Sequence, residues 1–105
     1  MWIFTNRGFL SIVDDRHQKG NLLVRARRRE HLETLFPGRG IAETPERDYR
    51  FRTSVPRAEV AETLRREVES VDYPNFKASL GNEAYHQACH EVWKVMFNYQ
   101  NRKLS

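Results

Sequence analysis

A single cysteine, Cys89, in 105 residues excludes an internal disulfide and fits a reducing cytoplasm. Proline and glycine are sparse, at four and five residues, and the chain holds no internal repeat or low-complexity tract. No apolar run approaches the ~18 residues that a transmembrane helix needs, so no membrane partner is expected. The opening Met1-Trp2-Ile3-Phe4-Thr5-Asn6-Arg7 lacks the basic stretch and apolar stretch of a secretory signal. A cytoplasmic location is therefore expected. Catalytic sets are missing too. Pro37-Gly38-Arg39-Gly40 lacks the length and the Lys-Ser/Thr of a phosphate-cradling loop. Cys89 falls at a buried-type helical position, where it reads as a small hydrophobe rather than an activated thiolate. No carboxylate sits in a recognisable apolar pocket that would raise its pKa. Neither an enzyme nor a cofactor is expected.

Hydrophobic residues make up 39% and charged residues 30%, too apolar for a disordered chain and enough to build one domain over 1–105. The net charge is +4, and it is unevenly placed. Residues 1–52 hold 11 Lys/Arg against 7 Asp/Glu, whereas residues 53–105 hold 7 of each. An excess of this kind favours acidic partners, nucleic acid among them.

Trp2–Thr5 and Phe9–Val13 are aromatic and β-branched runs flanking Asn6-Arg7-Gly8, which predicts a hairpin with a three-residue loop and Gly8 in a bulge. That register sets Thr5 opposite Phe9 and Phe4 opposite Leu10. Trp2, Phe4, Leu10 and Ile12 then share the core face, while Ile3 and Phe9 point outward. Residues 14–21 are polar and read as a loop. A third strand over 22–27 follows, with Leu22, Val24 and Ala26 inward. Residues 28–36 form a short helix with Leu32, Leu35 and Phe36 on its apolar side, stopped by Pro37-Gly38. Residues 37–48 show no periodicity, and a connection of that length is either mobile or functional.

A fourth strand over 49–55 turns Tyr49, Phe51, Thr53 and Val55 inward. Pro56 opens a helix to about Val71, with Val60, Leu64, Val68 and Val71 as its apolar stripe. Gly81-Asn82 precedes a last helix from Glu83 to about Asn101, in which Cys89, Val92, Trp93, Met96 and Tyr99 or Gln100 form the buried stripe. The predicted fold is α+β: a four-stranded, mostly antiparallel sheet with helices on one face, in the order β-β-β-α-β-α-α.

Arg25/Arg27 and Arg50/Arg52 stand at alternate positions of two strands, so each pair shares one strand face. With the apolar sides down, four guanidinium groups decorate the open face, joined by Arg28 and Arg29 at a strand end. Guanidinium binds phosphate bidentately, and Phe9 beside it offers a stacking platform of the kind single-strand binders use. The plainer alternative is a solvated face whose arginines pair with Glu30, Glu43, Glu46 or Asp48. His86 and His90 stand one helical turn apart beside Cys89. This is zinc-like spacing, but it lacks the glutamate of His-Glu-x-x-His and a fourth ligand, so these are weak metal candidates. Tyr73 and Phe76 lie in a polar turn between helices, as caps on the core or as an exposed anchor for a protein partner.

The opening Met1-Trp2-Ile3-x-Thr5-x-x-Gly8-Phe9-x-Ser11-x-Val13 resembles a scattered family of small bacterial and phage-associated proteins of unassigned function. Leu23-Val24-Arg25-Ala26-Arg27, Asp48-Tyr49-Arg50-Phe51-Arg52, Asp72-Tyr73-Pro74-Asn75-Phe76-Lys77 and His90-Glu91-Val92-Trp93 are similar to its later blocks. The resemblance touches most of the chain and implies no established activity.

Two functions are expected of such a chain. The first is a binding module whose arginine face (Arg25, Arg27, Arg28, Arg29, Arg50, Arg52, with Phe9) contacts RNA or DNA. The second is a protein-binding module, for example a phage-type inhibitor of a host defence nucleoprotein complex such as a CRISPR effector. In that case Glu43, Glu46 and Asp48 or the Tyr73/Phe76 turn carry the contact. Exposed sheet edges also allow pairing between copies.

Overall fold

The computed structural model describes residues 1–102, which group into two compact units, 1–72 and the segment from Tyr73 onward. The first unit is α+β. Five strands run as β1 (Trp2–Thr5), β2 (Gly8–Asp14), β3 (Asn21–Ala26), β4 (Ala42–Glu43) and β5 (Phe51–Pro56), in the spatial order β1-β2-β3-β5-β4. Every neighbouring pair is antiparallel. Helices α1 (Arg29–Leu35) and α2 (Arg57–Glu69) belong to this unit. The second unit holds a short 3-10 turn over Lys77–Ser79 and helix α3 (Glu83–Gln100). Among the described residues no helix is long and apolar enough to cross a membrane.

The core lies on one face of the sheet. Leu10, Ile12, Val24, Ala26 and Val55 project from the strands and pack with Leu32, Leu35 and Phe36 of the α1 segment and Val60 of α2. The alternation predicted for β3 and β5 is the one observed there. α1 ends where Phe36 donates its backbone N–H to the Leu32 carbonyl and the chain turns through Pro37 and Gly38, the glycine taking a φ of 80°. Asp15 is buried and clamps the loop between β2 and β3 to β5. It accepts the amides of His17 and Gln18 on one oxygen and the Ser54 hydroxyl on the other.

Three expectations need correction. The sheet has five strands rather than four, because Ala42–Glu43, inside the aperiodic 37–48 segment, pairs with Phe51 and Arg52 at the edge. A two-residue strand carries too few side chains to show a period. The first hairpin is tighter by one residue: Thr5 faces Gly8, Phe4 faces Phe9 and Ile3 faces Leu10. Trp2 and Phe4 therefore leave the core face, and Ile3 joins it.

The reason lies in α1. The His31 ring occupies the space above Gly8, where a Cβ would stand 2.6 Å from the His31 Cγ, and Nδ1 of His31 accepts the Phe9 amide at 3.2 Å. Gly8 thus serves close helix–strand approach, as a strand residue. The third correction concerns the helical stripes. α2 buries Val60 and Thr63, leaves Val68 exposed and ends at Glu69, so that Val71 lies beyond it and is exposed too, and α3 buries Cys89 alone while Val92, Trp93, Met96 and Tyr99 are exposed.

Two outcomes follow from the His31 contact. Gly8→Ala should cost about 1–3 kcal/mol in urea unfolding, because the added methyl has no room, and His31→Ala in the same chain should recover part of it. Burial also lowers the His31 pKa. A neutral ring accepts the Phe9 amide, whereas a charged ring cannot. The native state therefore holds fewer protons than the unfolded chain, and stability present at neutral pH should decline as pH falls below about 6.5. A His31→Gln variant should lack that part of the pH dependence.

Candidate functional site

The face of the sheet away from α1 and α2 carries a continuous row. Trp2, Ser11, Arg25, Arg52 and Ala42 are successive cross-strand partners over β1, β2, β3, β5 and β4. One step along the strands from this row stand the Phe4–Phe9 pair, stacked at 4.3 Å, and Arg27 beyond the end of β3. Trp2 meets Phe9 edge-on at 6.0 Å and is 70% exposed.

Two like charges therefore face each other directly, Arg25 against Arg52. Neither has a carboxylate within 4 Å among the described residues, and the Nε of each is buried without a hydrogen-bond partner. Other groups restrain them. Arg25 donates through Nη2 to the Ser11 hydroxyl at 2.7 Å, and Arg52 through Nη2 to the Tyr49 carbonyl at 3.2 Å.

Tyr49 corrects another expectation. It precedes β5 rather than lying in it, and its ring is buried on the arginine side of the sheet. The Arg25 and Arg27 guanidinium carbons stand 4.6 and 4.3 Å from its ring centroid, and Phe9 is 6.4 Å away. Residues 44–50 fold into a small turn that delivers it: the Thr44 amide donates to the Arg50 carbonyl, the Arg47 amide to the Thr44 carbonyl, and the Thr44 hydroxyl to the Tyr49 carbonyl. Arg27 closes the turn by donating to the Asp48 carbonyl at 2.7 Å. The face is thus partly covered by an aromatic plug, not fully open.

Electrostatics separate the arginines into two groups. Arg28 lies 4.0 Å from Glu30, and Arg29 and Arg50 share Glu43 at 4.0 and 2.8 Å. These three form a solvated, paired rim. Among the described residues Arg25, Arg27 and Arg52 have no ion pair, and the charge of Arg47 also acts on Arg52. Burial, then repulsion from Arg47 and Arg25, holds the Arg52 guanidinium below its ordinary pKa, while Asp48 and Glu46 pull the other way. Arg25 and Arg52 across the strands, and Arg27 beside the Tyr49 ring, thus stand without an ion pair among the described residues, while Arg47 adds to the positive charge at Arg52 and Asp48 and Glu46 offset part of it.

The remaining candidates are less assembled. Glu43 is occupied by Arg29 and Arg50, Asp48 caps the Tyr49 amide, and Glu46 is exposed. In the second unit Tyr73 and Phe76 rest against each other at 6.1 Å and are half-buried. Lys77 approaches His90 Nδ1 at 3.3 Å and lies 4.3 Å from the Trp93 ring centroid. Among the described residues no three His, Cys, Asp or Glu side chains gather as a metal site, so His86 and His90 remain a pair. Burial pushes the Cys89 thiol up, away from reactivity. A groove of about 390 Å³ between the end of α1 and α2 is floored by Leu35, Phe36 and Thr63. Its charged rim is already paired, Arg39 with Glu59 and Arg66 with Glu62.

Sequence reasoning missed Arg47, Tyr49, Trp2 and Ser11. Period-2 alternation in β1 would have found Trp2 once the hairpin register was right, and Ser11 follows as its partner. Arg47 and Tyr49 belong to an irregular turn and carry no periodic signal. No known family model, curated protein or solved structure matches the chain.

An unpaired guanidinium beside another of the same sign is an energetic burden on the fold. Arg52→Met should therefore leave stability unchanged or raise it by about 1 kcal/mol, as when buried charges give way to apolar groups of similar volume. Arg50→Met, which breaks only an exposed pair, should change it by less than about 1 kcal/mol. A loss of several kcal/mol for Arg52→Met in chemical denaturation would show the cation to be structural.

Proposed function

We propose that the protein is a non-enzymatic binding module whose arginine face takes up the phosphate backbone of single-stranded RNA or DNA. The observation that carries this reading is the group of Arg25, Arg27 and Arg52, which have no ion pair among the described residues, with Arg47 adding its charge at Arg52 against the smaller pull of Asp48 and Glu46. Nearby carboxylates pair instead with Arg28, Arg29 and Arg50. Cations gathered at a cost to the fold fit an anion supplied from outside.

The chemistry divides between the two ends of the row. Arg27 and Arg47 are exposed and offer guanidinium forks to phosphate oxygens. Arg25 and Arg52 sit deeper and add field more than contact. The Tyr49 ring aligns Arg25 and Arg27 by cation–π contact, worth ~0.5–1 kcal/mol at a surface. At the other end Trp2, backed edge-on by Phe9, presents an exposed indole on which a base can stack. Recognition of this type reads backbone charge and base planes, so it tolerates many sequences. The competing role as a protein-directed inhibitor would use Glu43, Glu46 and Asp48 or Tyr73 and Phe76, groups that are mostly engaged within the chain.

Fluorescence anisotropy with labelled RNA and DNA 12-mers tests this. Neutralising three or four phosphates should give a log–log salt slope of about −2 to −3 on single strands. Arg47→Glu should weaken binding several-fold without altering the unfolding midpoint, Arg27→Glu should weaken it further while also loosening the turn that Arg27 closes on the Asp48 carbonyl, and Trp2→Ala should weaken it by a smaller, salt-independent factor. No retention of any strand at low ionic strength would overturn the proposal. A partner captured from lysate that survives nuclease treatment would favour the protein-directed role.

A further inference from the structure

We infer that Arg25 and Arg52 together form a site for a phosphate monoester and, resting on the single-strand reading above, that this group is the strand's terminal phosphate. The two arginines are direct cross-strand partners on β3 and β5, with Cβ atoms about 5 Å apart as in any such pair. Both side chains are half-buried, and each uses its Nη2 inside the chain. Arg25 donates to the Ser11 hydroxyl at 2.7 Å and Arg52 to the Tyr49 carbonyl at 3.2 Å. One Nε–H on each is buried and unpartnered, and among the described residues these are the buried side-chain polar atoms left in that state. Both fall on one facing pair of cations.

Charge and donor count select the occupant. A buried N–H without an acceptor is costly, so native structures keep few of them, and those that occur often mark a water or an ion. A bridging water would accept from these N–H groups but leave two positive charges face to face. A carboxylate or an internal phosphodiester brings one negative charge against two. A phosphate monoester carries about −1.5 to −2 near neutral pH and three strong acceptor oxygens, which answers both the charge and the open donors.

Access points the same way. The buried Tyr49 closes the pair at one end, its carbonyl bonded to Arg52 and its ring 4.6 Å from the Arg25 guanidinium carbon. An internal phosphate continues into chain on both sides and needs two exits, whereas a terminal phosphate needs one. Toward internal phosphates the deeper pair acts through its field, and exposed Arg27 and Arg47 make the contacts. A strand end can reach further in. Neutral groups alone hold the two guanidiniums, so a turn about their outer torsions suffices to present Nε–H to an incoming oxygen.

Arginine-selective nitrogen–proton spectra of the intact protein read the site directly. Inorganic phosphate should shift the Arg25 and Arg52 Nε–H signals saturably, chloride at equal ionic strength should not, and Arg50, whose Nε is bonded to Glu43, serves as the reference. On labelled strands of one length, a terminal monophosphate should tighten binding about fivefold or more over a hydroxyl end, and blocking it as a methyl diester should remove most of that gain. Arg52→Lys keeps the charge and removes the guanidinium fork, so it should abolish the preference. Should that variant fail to fold, the end comparison and the phosphate titration decide alone. Equal binding of phosphate and hydroxyl ends, a preference that survives Arg52→Lys, or Nε–H signals indifferent to phosphate would each overturn the inference. Signals that move while no strand binds would instead sink the single-strand reading and keep the site, with free phosphate as its ligand.

Discussion

Burial of Leu10, Val24 and Val55, each fully removed from solvent, sets the register of β2, β3 and β5 and thereby decides what the other face of the sheet presents. Each such side chain contributes about 1.5–3 kcal/mol by leaving water. A slip of one residue would turn them outward and the arginines inward, and no rearrangement of surface charge compensates for that. The arginine row is thus a consequence of the core. Ser11, Arg25 and Arg52 are held in line because their neighbours in sequence are locked on the opposite side.

That arrangement is electrostatically unfavourable where Arg25 meets Arg52, and the local structure contains the compensation. The Ser11 hydroxyl and the Tyr49 carbonyl accept from the terminal nitrogens, and the Tyr49 ring lies against Arg25 and Arg27. None of these partners carries a full negative charge, so the guanidiniums are oriented without being neutralised. A carboxylate in place of Ser11 would have supplied neutralisation of Arg25 at a similar distance. The sheet instead keeps a hydroxyl there, which orients the guanidinium and leaves its charge in place.

Strands and helices with strong periodicity are legible in the sequence alone. β3, β5 and α1 follow alternation and capping signals that depend only on neighbours in sequence, and so did the pairing of Arg25 with Arg27 on one face. The misread features depend on contacts between distant residues. The β1–β2 register is set by His31, more than twenty residues away, pressing on Gly8. Tyr49 sits two residues before the regular strand, where alternation no longer applies, and an irregular turn sends it to the arginine side. β4 is too short to have a period. The stripe expected on α3 is apolar in sequence, but only Cys89 of it is buried, because a pattern in one helix does not say whether anything packs against it.

The two ends of the proposed site would respond differently to ionic strength. Contacts between exposed guanidiniums and phosphates weaken as salt rises, because counterions displaced on binding return. Stacking on the exposed Trp2 indole involves no charge and is not screened in that way. Ionic strength therefore separates what Arg27 and Arg47 would contribute from what Trp2 would, since the first is set by phosphates neutralised and the second by ring area covered.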